Sequence, residues 1–331
     1  MITEKHLRDN PALIKAFTGL AEEVFWQLIS DLKAKMPEYE HQRHERPDRQ
    51  RAVGGGRSYD QPLAIRVMLV LTYMRLHIPQ ETVALLFGAT QSDVSRELRR
   101  LLPLIAQVLP VPEVWTIVDE DEEPLTEGEV LALAQLADGR ALVDATEQEV
   151  YRPQDNETRK RYYSGKQKAF VLKTEFVTDG EHHMVAISEA VPGAKHDKKL
   201  SDELKTLERL PDGCEVDADK GYQGLDKQVT LVTVCNPETG EEHQVPRLQV
   251  NTPFKKPKEG ELTEEQKAFN RLLGAIRVRV EHCIGWVKNW AIIATRFRCA
   301  HSIYTLIMQV VCGLVNLQTE RWQTAKAQAV A

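Results

Sequence analysis

Ala141-Leu142-Val143-Asp144-Ala145-Thr146 marks the point at which the chain changes character. Upstream of it, apolar residues recur every three or four positions. From here on they come in short runs separated by turn residues. Strand character returns over 169–177 and 184–188, a helix is expected over 198–210, and further strands over 214–219 and 229–235. Strands, a helix, a strand and then helices imply an α/β sheet domain. Asp144 stands inside the first strand, between Val143 and Ala145.

Downstream, a Pro- and Lys-rich loop at 253–258 leads into a long helix expected over 264–290. Thr263 and Gln266 make a capping box at its start. Phe269, Leu272, Leu273, Ile276, Val280, Cys283 and Val287 are its expected buried stripe. With Ile276 at zero and about 100° per residue, Arg277, Asn270, Lys288 and Glu281 fall at about 100°, 120°, 120° and 140°. One polar edge beside the stripe therefore carries a carboxylate, two cations and an amide. Gly274 and Gly285 fall at about 160° and 180°, where a missing side chain lets another backbone approach. A second carboxylate, Asp219, ends the strand in Asp217-Ala218-Asp219-Lys220-Gly221-Tyr222.

Upstream, 12–36 reads as one amphipathic helix, 62–76 as a strongly apolar one, and 41–57 as a basic segment ending in three glycines. A helix opening near Pro79 runs to Phe87; Gly88-Ala89-Thr90 breaks it; another runs over 91–108 and contains Pro103. This is the length logic of a helix-turn-helix. Val94, Leu98, Leu101 and Ile105 are its core face, and Ser92, Ser95, Arg96 and Arg99 point away from it. Guanidiniums and hydroxyls of that kind suit guanine edges and phosphates; the plain alternative is an ordinary solvated surface helix.

At roughly 150 residues per domain, the 331 residues hold about two. With 42% hydrophobic and 28% charged residues the chain is globular, which excludes disordered, collagen-like and low-complexity classes. The net charge of −6 hides a division: 112–150 carries twelve acids against one base, Arg140, so the remainder is net basic. The expected organisation is a helical domain with the helix-turn-helix at 1–108, an acidic connector at 109–139 with a short helix over 126–136, and an α/β domain at 140–331 carrying the three acids. Five cysteines without a paired spacing read as reduced thiols of a cytosolic protein. Residues 299–319 contain no Asp, Glu, Lys or Arg, but the one-face spacing of Ile303, Leu306, Ile307, Val310, Leu314 and Leu317 reads as a core helix, with no membrane partner.

Two strand aspartates and a helix glutamate can form an oxygen site for paired divalent ions. Two Mg²⁺ ions about 4 Å apart can activate a water or a 3′-hydroxyl and stabilise the leaving oxygen of a phosphodiester. Arg277 and Lys288 can then hold the phosphates. Taken singly, a strand-end Asp also reads as a turn residue and a mid-helix Glu as a solvated one. Asp197 reads as a helix cap. Arg159, Arg161 and Lys166, with their basic neighbours, read as a phosphate-contacting patch or a solvated hairpin. Trp286 and Trp290 read as core residues, with stacking on a base as the alternative.

Six stretches occur in a fixed order: Val143-Asp144-Ala145-Thr146-Glu147, Tyr162-Tyr163-Ser164-Gly165-Lys166, Pro192-Gly193-Ala194-Lys195-His196-Asp197, Ala218-Asp219-Lys220-Gly221-Tyr222-Gln223-Gly224, Thr252-Pro253-Phe254-Lys255-Lys256, and Phe269-Asn270 through Glu281-His282. In this the chain resembles the DDE transposases of the insertion-sequence-five family, relatives of Harbinger-type elements. The resemblance implies a ribonuclease H-like catalytic domain behind an N-terminal all-α helix-turn-helix domain. It further implies an acidic triad of Asp144, Asp219 and Glu281 holding two Mg²⁺ ions, with Mn²⁺ as a possible substitute, and cleavage and joining of DNA at terminal inverted repeats. Related transposases carry Tyr-x2-Arg-x3-Glu-x6-Lys; Arg277, Glu281 and Lys288 fit it, with Gly274 at the tyrosine position. The expected partners are double-stranded DNA, as terminal repeats and target, and a second copy in a synaptic homodimer; the expected location is the cytoplasm, on the bacterial nucleoid. The alternatives are a non-catalytic, sequence-specific DNA-binding protein derived from a transposase, and a nuclease that cuts without joining.

Overall fold

The computed structural model describes residues 1–45, 59–118, 136, 139–235 and 242–330. Most of the basic segment at 41–57 and of the acidic connector, including all of its expected short helix but Leu136, lies outside the described residues. The chain forms two compact units: Met1–Pro110 with Lys288–Thr295 and Cys299–Gln318, and Val111–Val287 with Arg296–Arg298 and Thr319–Ala331.

The first unit opens with α1 (Glu4–Asp9), α2 (Ala12–Thr18) and α3 (Glu22–His44). The single helix expected over 12–36 is two, because Gly19 takes a left-handed φ of 74° and its N–H closes on the Lys15 carbonyl. Next, α4 (Leu63–Leu76) is buried on every side from Ala64 to Met74, as a helix apolar all round must be. α5 (Gln80–Phe87) ends at Gly88, φ 63°, and α6 (Gln91–Ala106) follows. Thr90 caps α6: its hydroxyl accepts from the Asp93 N–H at 3.2 Å, and Asp93 accepts from the Thr90 N–H at 2.9 Å. Pro103 sits inside α6 without breaking it, and the helix stops two residues before the expected end. Val94, Leu98, Leu101 and Ile105 are buried as expected. Beneath them lies a pair the sequence reading missed, Arg66 to Glu97 at 2.8 Å, with Arg66 4% exposed.

The second unit is built on a mixed sheet in the order β1 (Glu113–Trp115), β5 (Met184–Ser188), β4 (Ala169–Thr178), β2 (Arg140–Glu149), β7 (Glu215–Ala218), β10 (Gln249–Asn251). β4 runs antiparallel to β2 and β5, while β7 is parallel to both β2 and β10. Two short strands, β3 (Tyr163–Ser164) and β6 (Val191–Pro192), pair with β4. The strand expected over 229–235 is β8 (Leu231–Cys235), but it pairs only with β9 (Glu242–Pro246), in a separate hairpin. The basic stretch after β2 contains a helix, α7 (Asn156–Tyr162), rather than a hairpin. The helix expected over 198–210 is split at Lys205, φ 52°, into α8 (Asp197–Glu203) and α9 (Thr206–Arg209). Its Leu200, Leu204 and Leu207 cover Ala141, Val143, Val177, Val216 and Ala218 in one core.

The long helix is α10 (Glu264–Lys288), capped by the expected Thr263–Gln266 pair at 3.1 and 3.2 Å. Its buried stripe is Leu273, Arg277, Val280, Cys283 and Val287. The stripe is thus turned toward Arg277, and Leu272, expected inside, is 68% exposed. Trp290 is buried; Trp286 is instead a surface residue, stacked on His282 and tilted against His182. After α11 (Ala291–Ala294) comes α12 (Tyr304–Val330). Among the described residues, His301–Gln328 is long and apolar enough to cross a membrane, yet 61% of its most apolar window is buried inside the protein, as a core helix requires. α11 packs on α4, and Asn316 donates to the Pro110 carbonyl at 3.0 Å, so the chain's late helices complete the first unit.

Candidate active site

The parallel pairing of β2 with β7 sets the site. Leu142 faces Asp217 and Val143 faces Ala218, so one step further brings Asp144 and Asp219 to neighbouring positions at the same level of the sheet. Val143 and Ala218 point into the core, and the aspartates therefore point to the opposite face. Each carboxylate is braced by the next backbone N–H: Ala145 donates to Asp144 Oδ1 at 2.8 Å, and Lys220 to Asp219 Oδ1 at 2.5 Å. Arg277, 7% exposed on α10, reaches both, with Nη2 at 3.3 Å from Asp144 Oδ2 and Nη1 at 3.5 Å from Asp219 Oδ1. Burial pushes the Asp144 carboxyl up to about 6 against the pull of Arg277, and the charges of Asp219 and Asp197 add to the rise.

Glu281 is exposed, one helical turn beyond Arg277 on the same helix. Among the described residues, no three His, Cys, Asp or Glu side chains come together closely enough to hold a metal ion. The structure thus unites Asp144, Asp219 and Arg277, while Glu281 stands outside a three-acid cluster. In donor chemistry the aspartate pair fits a hard divalent cation: two carboxylates share one positive group, and burial leaves Asp144 short of full neutralisation. Lys288, the last residue of α10, groups with the first unit.

A second polar group lies on the core side of the sheet. Lys173 Nζ donates to Asp197 Oδ1 and the Lys195 carbonyl, both at 2.6 Å, and stands 3.3 Å from Glu147; Ser164 Oγ donates to Glu147 at 2.9 Å. Asp197 is therefore an ion-pair partner, not the helix cap expected from sequence. Gly221 makes room for it, since a Cβ there would lie 2.9 Å from Asp197 Oδ2. The signal for Lys173 was a lysine within the apolar run of β4.

The expected DNA contacts divide. Ser92, Arg96 and Arg99 are exposed on α6 and Ser95 is half-buried; Arg96 pairs with Asp93 at 2.6 Å and Arg99 donates to Ser95 Oγ at 2.8 Å. Arg161 and Lys166 are exposed. Arg159 is spent on its own loop, donating to the carbonyls of Pro153 and Gln154 and to Asn156 Oδ1 at 2.9, 2.5 and 2.9 Å. Asn270 is likewise engaged within the protein, on the backbone of Phe254.

A mixed sheet in this order, with one carboxylate on central strand β2 and the other just past the end of its neighbour β7, and helices packed about it, is of the ribonuclease H-like α/β class. Residues 143–316 match the family described as DDE superfamily endonuclease, and the chain belongs to that family. Residues 62–110 match the helix-turn-helix of DDE superfamily endonuclease. A relative from Microchaete diplosiphon, described as a probable transposase for insertion sequence element IS702, is 24% identical over 306 residues, covering 92% of this chain and 93% of its own length. No solved structure matches the chain.

Proposed function

We propose that the chain is the transposase of an insertion sequence of the insertion-sequence-five type. It binds the element's terminal inverted repeats through α5 and α6 and cuts and joins DNA at the Asp144–Asp219 site, working as a homodimer that holds two ends. The observation that carries this reading is the meeting of Asp144 and Asp219, 75 positions apart in sequence, on the single guanidinium of Arg277.

Asp144 and Asp219 would hold the divalent ions, with Glu281 as third ligand. When bound, Mg²⁺ supplies an activated oxygen nucleophile and charge stabilisation at the phosphodiester. The protein's own part is to keep one carboxylate on β2 beside the other at the end of β7 and to bury Asp144 partly from water. Arg277 offers its guanidinium fork to the non-bridging phosphate oxygens. No Ser or Tyr nucleophile is required, because water and then a DNA 3′-hydroxyl attack directly.

The decisive measurement uses an end-labelled duplex carrying the inverted repeats that flank this open reading frame, with Mg²⁺. Asp144→Asn, Asp219→Asn and Glu281→Gln are each expected to lower cleavage by several orders of magnitude while duplex binding survives. Normal cutting by one of these variants removes that acid from the site. A second reading, a DNA-binding protein without catalysis, draws on Arg277 standing between the two carboxylates in place of a third acid; binding by the parent chain with no Mg²⁺- or Mn²⁺-dependent cutting selects it.

A further inference from the structure

Loop 252–258 is clamped from two sides. Gln223, four residues after Asp219, donates through Nε2 to Thr252 Oγ1 at 3.0 Å and to the Pro253 carbonyl at 2.7 Å. From α10, Asn270 takes both backbone groups of Phe254: Oδ1 accepts from its N–H at 2.8 Å, and Nδ2 donates to its carbonyl at 3.1 Å. The Phe254 ring meets Phe269 edge-on at 5.3 Å. Fixing a surface loop this firmly costs conformational entropy, and the side chains it presents are cations. Lys255, Lys256 and Lys258 are all exposed, and the ion pair of Lys256 with Glu261 is long, at 3.9 Å between two exposed side chains.

The loop also has a defined place relative to the carboxylates. Asn270 and Arg277 lie on one edge of α10, seven residues apart, which is about 10 Å along the helix. Between them is Gly274, where an added Cβ would meet nothing within 4 Å. No packing demand explains that glycine, and it leaves the edge from the loop to Arg277 bare. Along one DNA strand the charge advances about 3.4 Å per nucleotide, so the span corresponds to about three nucleotides.

We propose that Lys255, Lys256 and Lys258 form a phosphate clamp for the DNA strand lying along α10, about three nucleotides from the scissile bond, and that Asn270 and Gln223 are positioning residues that hold the clamp in register. The contact is to the sugar-phosphate backbone and is independent of sequence. The proposal rests on the DNA-cleaving reading above.

The test uses the full chain and the end-labelled flanking duplex. The triple variant K255Q/K256Q/K258Q is expected to flatten the dependence of log Kd on log salt concentration by nearly three, at about 0.9 per phosphate contact. A neutral methylphosphonate placed about three nucleotides from the cut is expected to slow single-turnover cleavage by the parent, but to make no difference to the triple variant. Asn270→Ala keeps all three charges; it is expected to lose this positional sensitivity while retaining most of the salt slope, a split that a loss of folding would not produce. Should the triple variant fail to fold, the single exposed-loop Lys→Gln variants are each expected to lower the slope by about 0.9. An unchanged slope with normal parental cleavage overturns the clamp and leaves the endonuclease reading standing. A parent that binds the duplex but does not cut it overturns that reading, and the clamp with it.

Discussion

Glu175 sits on β4 with 1% of its surface exposed, accepting from Thr206 Oγ1 at 2.5 Å. Burial pushes its carboxyl from 4.5 up to about 7, and the Thr206, Tyr222 and Ser201 hydroxyls only partly oppose it. The folded chain therefore holds a proton that the unfolded chain releases. The associated stability is fully present below about pH 4.5, is lost as pH rises through about 7, and is on the order of 3 kcal/mol. Glu175→Gln is expected to exceed the parent in stability by roughly 2–3 kcal/mol above about pH 8 and to match it near pH 4.5, as read by urea denaturation at the two pH values. An equal difference at both would show that folding does not raise the Glu175 carboxyl. At this scale the sequence announced the acids that end strands but not their partners. Asp144 and Asp219 are legible because each interrupts or closes an apolar strand. Arg277 is legible because α10 has a strict period. Lys173 and Glu175 alternate within β4, and which face of β4 is covered by α8 and α9 is decided by residues far along the chain.

The two faces of α6 carry opposite expectations. Glu97, on the inner side of α6, neutralises Arg66 at 2.8 Å and Arg100 at 2.8 Å. Glu97→Ala leaves Arg66 buried without its partner and is expected to cost about 3–5 kcal/mol in thermal or chemical unfolding; a loss below about 1 kcal/mol would mean that water reaches the guanidinium. On the outer side, among the described residues, Arg96 and Arg99 make exposed local pairs, which contribute little to stability. Arg96→Ala and Arg99→Ala should leave melting nearly unchanged while lowering the salt slope of duplex binding by about one each. Most helices could be read from their periods and caps, as α4, α6 and the Thr263–Gln266 start of α10 show. The misreadings fall where the local backbone decides: Gly19 and Lys205 in left-handed conformations cut single expected helices in two. The three-residue strands β1 and β10 escaped because so short a run has no alternation to read.

The first unit does not end where the helical sequence pattern ends. α4 is buried on every face from Ala64 to Met74 and needs cover on every face. Part of that cover is α11, and Tyr73 and His77 reach Cys299 at 3.3 Å and Thr295 at 2.7 Å. A division at 108 and 140, natural from composition, would therefore strip the helical unit of its last walls. A fragment of residues 1–110 is expected to show exposed apolar surface by dye binding and no cooperative melting, and joining 288–318 to it through a flexible linker should restore both. Cooperative melting of 1–110 near the parental temperature would show that the late helices are dispensable.

That discontinuity bears on how the protein is made. A ribosome delivers α1 to α6 early, but the residues that finish their core emerge only after the whole sheet and α10 have been synthesised. A message cut short or a frameshifted product thus yields a helix-turn-helix without a finished core. Such stumps lack the late cover that α4 needs and are expected to be degraded faster than the full-length chain, which pulse-chase decay of the two products would measure.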